Sequence, residues 1–214
     1  MSAGVMPETM PDHDAEEQNA NRRALRKRLV ERRLALLPDD CLRLSAAICA
    51  QLQSSFPQLA GMRVGFCWPV KNEPDLRPLM QTWIESGNAG FTALLPVVVE
   101  AGAALAFRAW TPGSRLEADR YGIPAPVEGE FLVPEALLIP VNAFDAAGYR
   151  IGYGGGFFDR TLAALQPVPL SIGVGFELSR VDSIFPQAHD IRLDAMVSEA
   201  GVFRHNQPGT FSAP

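Results

Sequence analysis

Between Ala136 and Asp159 the chain reads ALLIPVNAFDAAGYRIGYGGGFFD, an order of residue types suited to holding a phosphate. Arg150 offers a planar, permanently charged fork for an anion. Gly152, Gly154, Gly155 and Gly156 follow it within a few residues, with Ile151 and Tyr153 interleaved. Glycines let a backbone approach a ligand closely and turn a row of N–H groups toward it. A helix starting immediately afterwards adds its own unpaired donors and the positive end of its dipole. Asp159 stands just inside that helix, where a carboxylate reaches a metal that travels with phosphates. The chemistry indicated is nucleotide binding. The pattern is not a P-loop, because no lysine follows the glycines, and Phe157 occupies the last glycine position of a dinucleotide fingerprint. A glycine-rich turn that merely joins a strand to a helix is the alternative reading.

These residues need elements to position them. The apolar run Leu137–Val141 has the length and composition of a buried strand, and Phe157–Leu165 that of an amphipathic helix. Upstream, RRALRKRLVERRLALL carries seven basic residues and one acid, with Leu25, Leu29 and Leu36 at helical spacing, and Pro38 ends it. A second helix begins at Pro38-Asp39-Asp40. Strands are expected at Met62–Trp68, Phe91–Val99, Ala104–Trp110, Leu170–Phe176 and Ala195–Ser198, with a helix near Asp75–Ser86 and a long Gly/Pro-bearing connection over 111–130. Strands alternating with helices imply a mainly parallel α/β sheet, whose ligands bind beyond the carboxyl ends of the strands. The segments 68–73, 142–156 and 176–190 should gather there.

Residues 1–20 read as a disordered acidic tail, and 21–214 as a single α/β domain. The five acids of that tail account for the whole excess of 24 acidic over 19 basic residues, so the folded part is about neutral. That balance argues against a protein devoted to nucleic acid. The start of the chain lacks the basic and apolar regions of a signal peptide, and no apolar run approaches a membrane span. Cys41, Cys49 and Cys67 are odd in number and show no metal-binding spacing, which fits reduced thiols in the cytoplasm.

Taken in order, RRALR, WPVKNEPD, GIPAP, LLIPVNAFDAAGYRIGYGGGFFDR, IGVGFE, FPQAHD and MVSE resemble the 5-formyltetrahydrofolate cyclo-ligase (methenyltetrahydrofolate synthetase) family over residues 22–199. The resemblance implies a three-layer α/β/α fold similar to the ribose-phosphate isomerase and CoA-transferase type. It implies ATP-dependent closure of 5-formyltetrahydrofolate to 5,10-methenyltetrahydrofolate, with phosphoryl transfer to the formyl oxygen and ATP and Mg²⁺ as cofactors. The implied partners are these small molecules, with neither nucleic acid nor membrane. By the same resemblance Arg22, Arg23, Ala24, Leu25 and Arg26 form an N-terminal nucleotide segment, and Arg150 through Phe158 the main ATP-binding segment. Trp68, Glu73 and Tyr153 would meet the folate, Arg150 and Tyr153 would take part in catalysis, and Asp159 and Asp190 would attend the metal. Bland alternatives exist for each: a solvated basic helix face, a loop acid or cap at Glu73, a core aromatic at Trp68, a helix-start acid at Asp159, a turn residue at Asp190. His189 is assigned no catalytic part.

The chain departs from the family pattern in four places. Arg22 stands where lysine is usual, Phe157-Phe158 replaces a tyrosine pair, Ala125 replaces a glutamate, and Ser198 replaces a threonine. Two other functions therefore stand beside the first. One is a divergent relative that activates a different formamide or carbonyl compound. The other is a non-catalytic nucleic-acid binder using the Arg-rich helix 22–33.

Overall fold

Apolar side chains on both faces of the strands decide the architecture, since a sheet apolar on two sides must be covered twice. In the computed structural model, which describes residues 13–205, the chain begins with α1 (His13–Leu34) and α2 (Pro38–Ser55). Then come β1 (Arg63–Gly65), α3 (Arg77–Glu85), β2 (Thr92–Val97), β3 (Ala106–Ala109), β4 (Leu116–Ala118) and β5 (Pro124–Pro126). The second half runs β6 (Ala136–Pro140), β7 (Ala143–Phe144), β8 (Arg150–Ile151), α4 (Phe157–Ala164), β9 (Leu170–Val174), β10 (Ala195–Ser198) and β11 (Gly201–Arg204). Seven strands form one sheet in the order β11-β10-β9-β6-β1-β2-β3, parallel from β10 to β2 and antiparallel at both edges.

The pleat sorts each strand between two cores. Ala136 and Leu138 of β6 join Ile48 and Leu52 of α2 and Met80 and Trp83 of α3. Leu137 and Ile139 face the other way, toward Leu162 of α4 and Met196 of β10. Each fully buried leucine or isoleucine contributes roughly 2 kcal/mol through burial. The mainly parallel sheet expected from the sequence is thus present, with α2 and α3 on one face and α4 on the other.

Topology locates the functional end. From β1 the chain crosses through α3 to β2 on one side. From β6 it crosses through α4 to β9 on the other. The winding reverses between β1 and β6, which pair directly over Val64↔Ala136 and Gly65↔Leu137. Their carboxyl ends therefore diverge and leave a crevice. Helix α1 belongs to neither layer. Leu25 and Leu29 dock it on Ala143, Ile151 and Ile184, beyond the strand ends.

The helix begins at His13 rather than at Asn21, so residues 13–20 of the tail expected over 1–20 are helical, and residues 1–12 lie outside the described residues. Glu16 and Glu17 near its start favour the positive end of the helix dipole, which a reading based on charge composition overlooks. Three short pairings also escaped the periodicity. β4 and β5 form a hairpin within the long connection. β7 and β8 form another inside the stretch expected to hold phosphate. β11 adds an edge directly after β10. Segments of two to four residues are too short to show a period. Among the described residues no helix is long and apolar enough to cross a membrane.

Candidate active site

Asp145 makes the first part of the site by closing the β7–β8 hairpin. Its Oδ1 accepts from the N–H groups of Ala147 and Tyr149, and its Oδ2 from that of Ile184. The chain then leaves β8 through the glycines. Gly154 and Gly156 have φ of 93° and 63°, the left-handed region that a side chain would strain. Gly156 caps α4 without any side-chain bond to the first turn, so that turn's N–H groups are left for other partners.

Cations surround this loop. Arg26 donates from Nε to the Gly152 carbonyl at 2.7 Å and lies against Gly154. Arg160, unremarked in the sequence, donates to the Gly155 carbonyl and lies beside Gly156. Burial first, then the charges of Arg22 and Arg23, push the Arg26 guanidinium below its ordinary pKa. Cations crowded together beside open backbone donors are stabilised by a bound anion.

Two arginines expected at the anion are turned inward instead. Arg22 makes a two-pronged pair with Asp190 at 2.6 and 3.0 Å and donates to the Phe185 carbonyl. Arg150 donates to the Ile191 carbonyl at 2.8 Å and to Asp159 Oδ1 at 3.0 Å. Both are under a tenth exposed, so burial forces each charge to take fixed acceptors. The forks read as phosphate ligands tie α1 and the glycine loop to residues 185–191. Arg23 and Ala24 are exposed, whereas Leu25 and Ile151 are core side chains.

Asp190 → Asn should lower stability by about 3 kcal/mol, because a buried guanidinium loses its counter-charge. In a chain of this size that is a fall in Tm of roughly 6–12 °C. A melting curve superimposable on wild type would show the pair to be dispensable.

The same contacts bear on metal binding. Both Asp190 oxygens are engaged by Arg22 and by the Gln187 N–H. Asp159 Oδ1 takes Arg150 and the Ile191 N–H, while Oδ2 makes no hydrogen bond among the described residues. No cluster of three or more His, Cys, Asp or Glu side chains suited to a metal occurs among the described residues. Asp159 fits a magnesium ion held mostly by phosphates. A dedicated protein cage does not fit, nor does Asp190 as it is paired here.

The other side of the crevice is built by the loop after β1. Lys71 and Asn72 both have left-handed backbone, which folds Glu73 back so that its Oε2 accepts from the Val70 N–H at 3.1 Å. Glu73 is only 6% exposed, which excludes the solvated loop acid. It lines a small apolar pocket with Cys67, Pro69, Pro74, Leu138 and Pro140. Burial raises the Glu73 pKa, opposed chiefly by the Arg33 guanidinium, whose Nη2 stands 3.8 Å from Oε1. Arg33 also donates to Tyr153 Oη at 2.8 Å and to Asn142 Oδ1 at 2.8 Å. Burial and the Glu73 charge raise the Tyr153 pKa, so its hydroxyl keeps its proton and acts as a donor.

Trp68 is half-buried, with the Arg77 guanidinium 4.5 Å from its ring, so one face is already occupied. Phe157 meets Tyr121 edge-on at 5.8 Å, and Phe157 and Phe158 both pack against the α4-side core.

Sequence reading missed Arg33, Asn142 and Arg160. The signal for Arg33 was present: Arg22, Leu25, Leu29 and Arg33 lie at helical spacing and form the buried face of α1. An arginine continuing an apolar stripe must have buried partners. Together Arg22, Arg26 and Arg33 take three cations away from the solvent-facing stripe that nucleic-acid binding would use.

Known proteins resemble this chain in sequence and in fold. The chain is 29% identical to 5-formyltetrahydrofolate cyclo-ligase of Escherichia coli K12 over 181 residues, 81% of this chain and 97% of that protein. It is 30% identical to the enzyme of the same name from Mycolicibacterium smegmatis over 148 residues, 64% of this chain and 73% of the relative. The solution structure of Aquifex aeolicus 5,10-methenyltetrahydrofolate synthetase superposes with a TM-score of 0.75 at 28% identity, covering 90% of this chain and 96% of that one. The Mycoplasma pneumoniae synthetase, at 21% identity and a TM-score of 0.65 over 83% and 98% of the chains, shares the fold. The family model for 5-formyltetrahydrofolate cyclo-ligase matches residues 18–199, from within α1 to just past β10, and the chain belongs to that family.

Proposed function

We propose that this protein converts 5-formyltetrahydrofolate to 5,10-methenyltetrahydrofolate with conversion of ATP to ADP and phosphate, at the crevice between β1 and β6. One observation carries the reading. Tyr153, a residue of the glycine loop, meets the same guanidinium of Arg33 that pairs with Glu73. The cationic loop and the buried acid are therefore two ends of one site.

A formamide oxygen is a very poor leaving group, so closing the ring needs that oxygen converted to phosphate. The γ-phosphoryl group passes to the formyl oxygen, N10 attacks the formyl carbon and loses its proton, and phosphate departs with the oxygen. The protein's task is positioning and charge stabilisation. Arg26, Arg160 and the N–H groups of the glycine loop hold the phosphates. The Glu73 carboxylate accepts from the ring N–H and amino group of the pterin, a planar donor pair that suits a carboxylate. The protonated Tyr153 hydroxyl donates to oxygens at the reacting centre. Magnesium accompanying ATP would be held by Asp159 and would offset phosphate charge. Free thiols at Cys41, Cys49 and Cys67 and the demand for ATP agree with a cytoplasmic enzyme.

The test is absorbance in the methenyltetrahydrofolate band after mixing protein, Mg·ATP and 5-formyltetrahydrofolate, against an ATP-free control. An ATP-dependent rise is expected. No rise from folded protein that binds ATP would move the reading to another formamide or carbonyl acceptor. Gly152 → Val offers a local check. A side chain at Gly152 meets no atom within 4 Å, so the fold should persist while the approach to the loop is obstructed. The KM for ATP should rise at least about tenfold with Tm unchanged, equivalent to ~1.4 kcal/mol of lost binding. Unaltered ATP affinity would remove the phosphate from this loop.

A further inference from the structure

We propose that Arg33 is a positioning residue of this reaction, holding Glu73, Tyr153 and Asn142 in the hydrogen-bonding polarity that the folate requires. The inference rests on the reading that Glu73 meets the substrate. Arg33 is 1% exposed and surrounded by acceptors from three separate segments. From α1 it reaches the Lys71 carbonyl with Nε at 2.9 Å, Asn142 with Nη1, and Tyr153 and Glu73 with Nη2. These segments are the loop after β1, the loop after β6 and the glycine loop, which form the walls of the crevice.

A guanidinium only donates, so each partner must present an acceptor to it. Asn142 must turn its Oδ1 toward Arg33, which assigns the amide orientation. Its Nδ2 is then a buried donor with no hydrogen-bond partner among the described residues. Tyr153 accepts from Arg33 through its oxygen and keeps its own proton for donation. Glu73 is opposed by burial and supported in its charged form by Arg33 from α1 and by Lys71 from its own loop. Tyr153 faces it from the glycine loop, and the Cys67 thiol, which burial and the Glu73 charge keep protonated, lines the same pocket. A residue serving stability alone has no need of this polarity, since a buried ion pair contributes little more than apolar side chains of similar volume. The unmatched Asn142 donor and the buried Glu73 carboxyl beside it are features that a ligand completes.

The sign of the effect follows from Glu73 being an acid. Removing the Arg33 charge removes the main influence lowering its pKa, so a higher pH is needed to keep the carboxylate ionised. In Arg33 → Gln, the pH below which the KM for 5-formyltetrahydrofolate climbs should move up by about 1–2 units. At neutral pH that KM should rise roughly 10–100-fold, and it should recover in part at alkaline pH. Arg33 → Lys restores the charge without the fork, so the midpoint should return to within about half a unit of wild type while kcat falls below the wild-type value. Glu73 → Gln should raise the KM with a flat pH profile.

These profiles, measured with Tm for each variant, separate the outcomes. A pH-independent loss in Arg33 → Gln, with Glu73 → Gln still raising the KM, would leave Arg33 a structural residue and overturn the inference alone. An unchanged KM in Glu73 → Gln would overturn the substrate reading and the inference with it. If Arg33 → Gln does not fold, Arg33 → Lys decides: a preserved midpoint with reduced kcat supports the proposal, and a displaced midpoint refutes it.

Discussion

Glu73 → Gln is expected to raise the KM for 5-formyltetrahydrofolate about 100-fold at neutral pH while leaving the KM for ATP within about twofold. The magnitude follows from losing two charge-assisted hydrogen bonds to the pterin, each contributing about 1.5–3 kcal/mol, less the neutral bonds that an amide can still form. Glutamine retains the volume of glutamate, so the small pocket with Cys67, Pro74 and Leu138 should keep its shape. What changes is the charge opposite Arg33 and the ability to accept twice from a planar donor.

The pH dependence has a definite direction. Burial raises the Glu73 pKa, so the bound carboxylate is lost as pH falls through that raised value. Wild-type KM for the folate should therefore climb toward acid, from a higher pH than an exposed glutamate would give. The Gln variant has nothing to titrate there and should be flat. Steady-state kinetics with each substrate varied in turn over a pH series checks both points. A parallel loss of folate and ATP affinity would mean that the substitution disturbs the crevice as a whole.

Arg26 → Met should act at the opposite end of the site. The KM for ATP is expected to rise about 100-fold, since a phosphate loses a charge-assisted partner worth about 1.5–3 kcal/mol. Folate affinity should be little changed. Stability should change little: burial, then the charges of Arg22 and Arg23, push the Arg26 pKa down, which offsets the bond from its Nε to the Gly152 carbonyl, and no carboxylate is paired with it among the described residues. A cation that adds little to the fold yet serves a ligand gives this signature of lost binding with nearly unchanged Tm. The contrast with Asp190 → Asn is informative, as that change removes a counter-ion and should lower Tm first. If Arg26 → Met altered ATP affinity less than threefold, phosphate recognition would fall to Arg160 and the backbone.

Arg150, placed at the anion by its spacing, and Arg22, placed there by the family resemblance, both take partners within the chain that sequence does not record. Sequence spacing puts Arg150 two residues before the first glycine, and an anion there would attract it. The fold supplies a nearer acceptor, because the segment after His189 returns to lay the Ile191 carbonyl and Asp159 beside it. Arg22 is captured in the same way by Asp190, 168 residues away. Those contacts depend on chain return that no local window records.

Local patterning was enough for the main elements. β6, α4 and β10 follow directly from apolar runs and helical spacing, and Pro38 marks the start of α2. Short pairings such as β7–β8 and β4–β5 were illegible because two or three residues carry no period. They exist because hairpin turns and neighbouring strands complete their backbone hydrogen bonds.

By itself the sequence determined the sheet, its helices and the glycine loop, because burial period, turn chemistry and helix starts are properties of neighbouring residues. It also carried the motifs that mark the family. Which charges are buried against fixed acceptors was settled by the tertiary structure. Arg22, Arg26, Arg33 and Arg150 are chemically identical in the sequence. Burial strips water from three of them and leaves each to whatever acceptor the fold brings near, while Arg26 is only half-buried, bonded through Nε to the Gly152 carbonyl and without a carboxylate partner among the described residues. A charge in low dielectric takes its role from its nearest partner, and those partners meet only when the strands reverse their winding between β1 and β6.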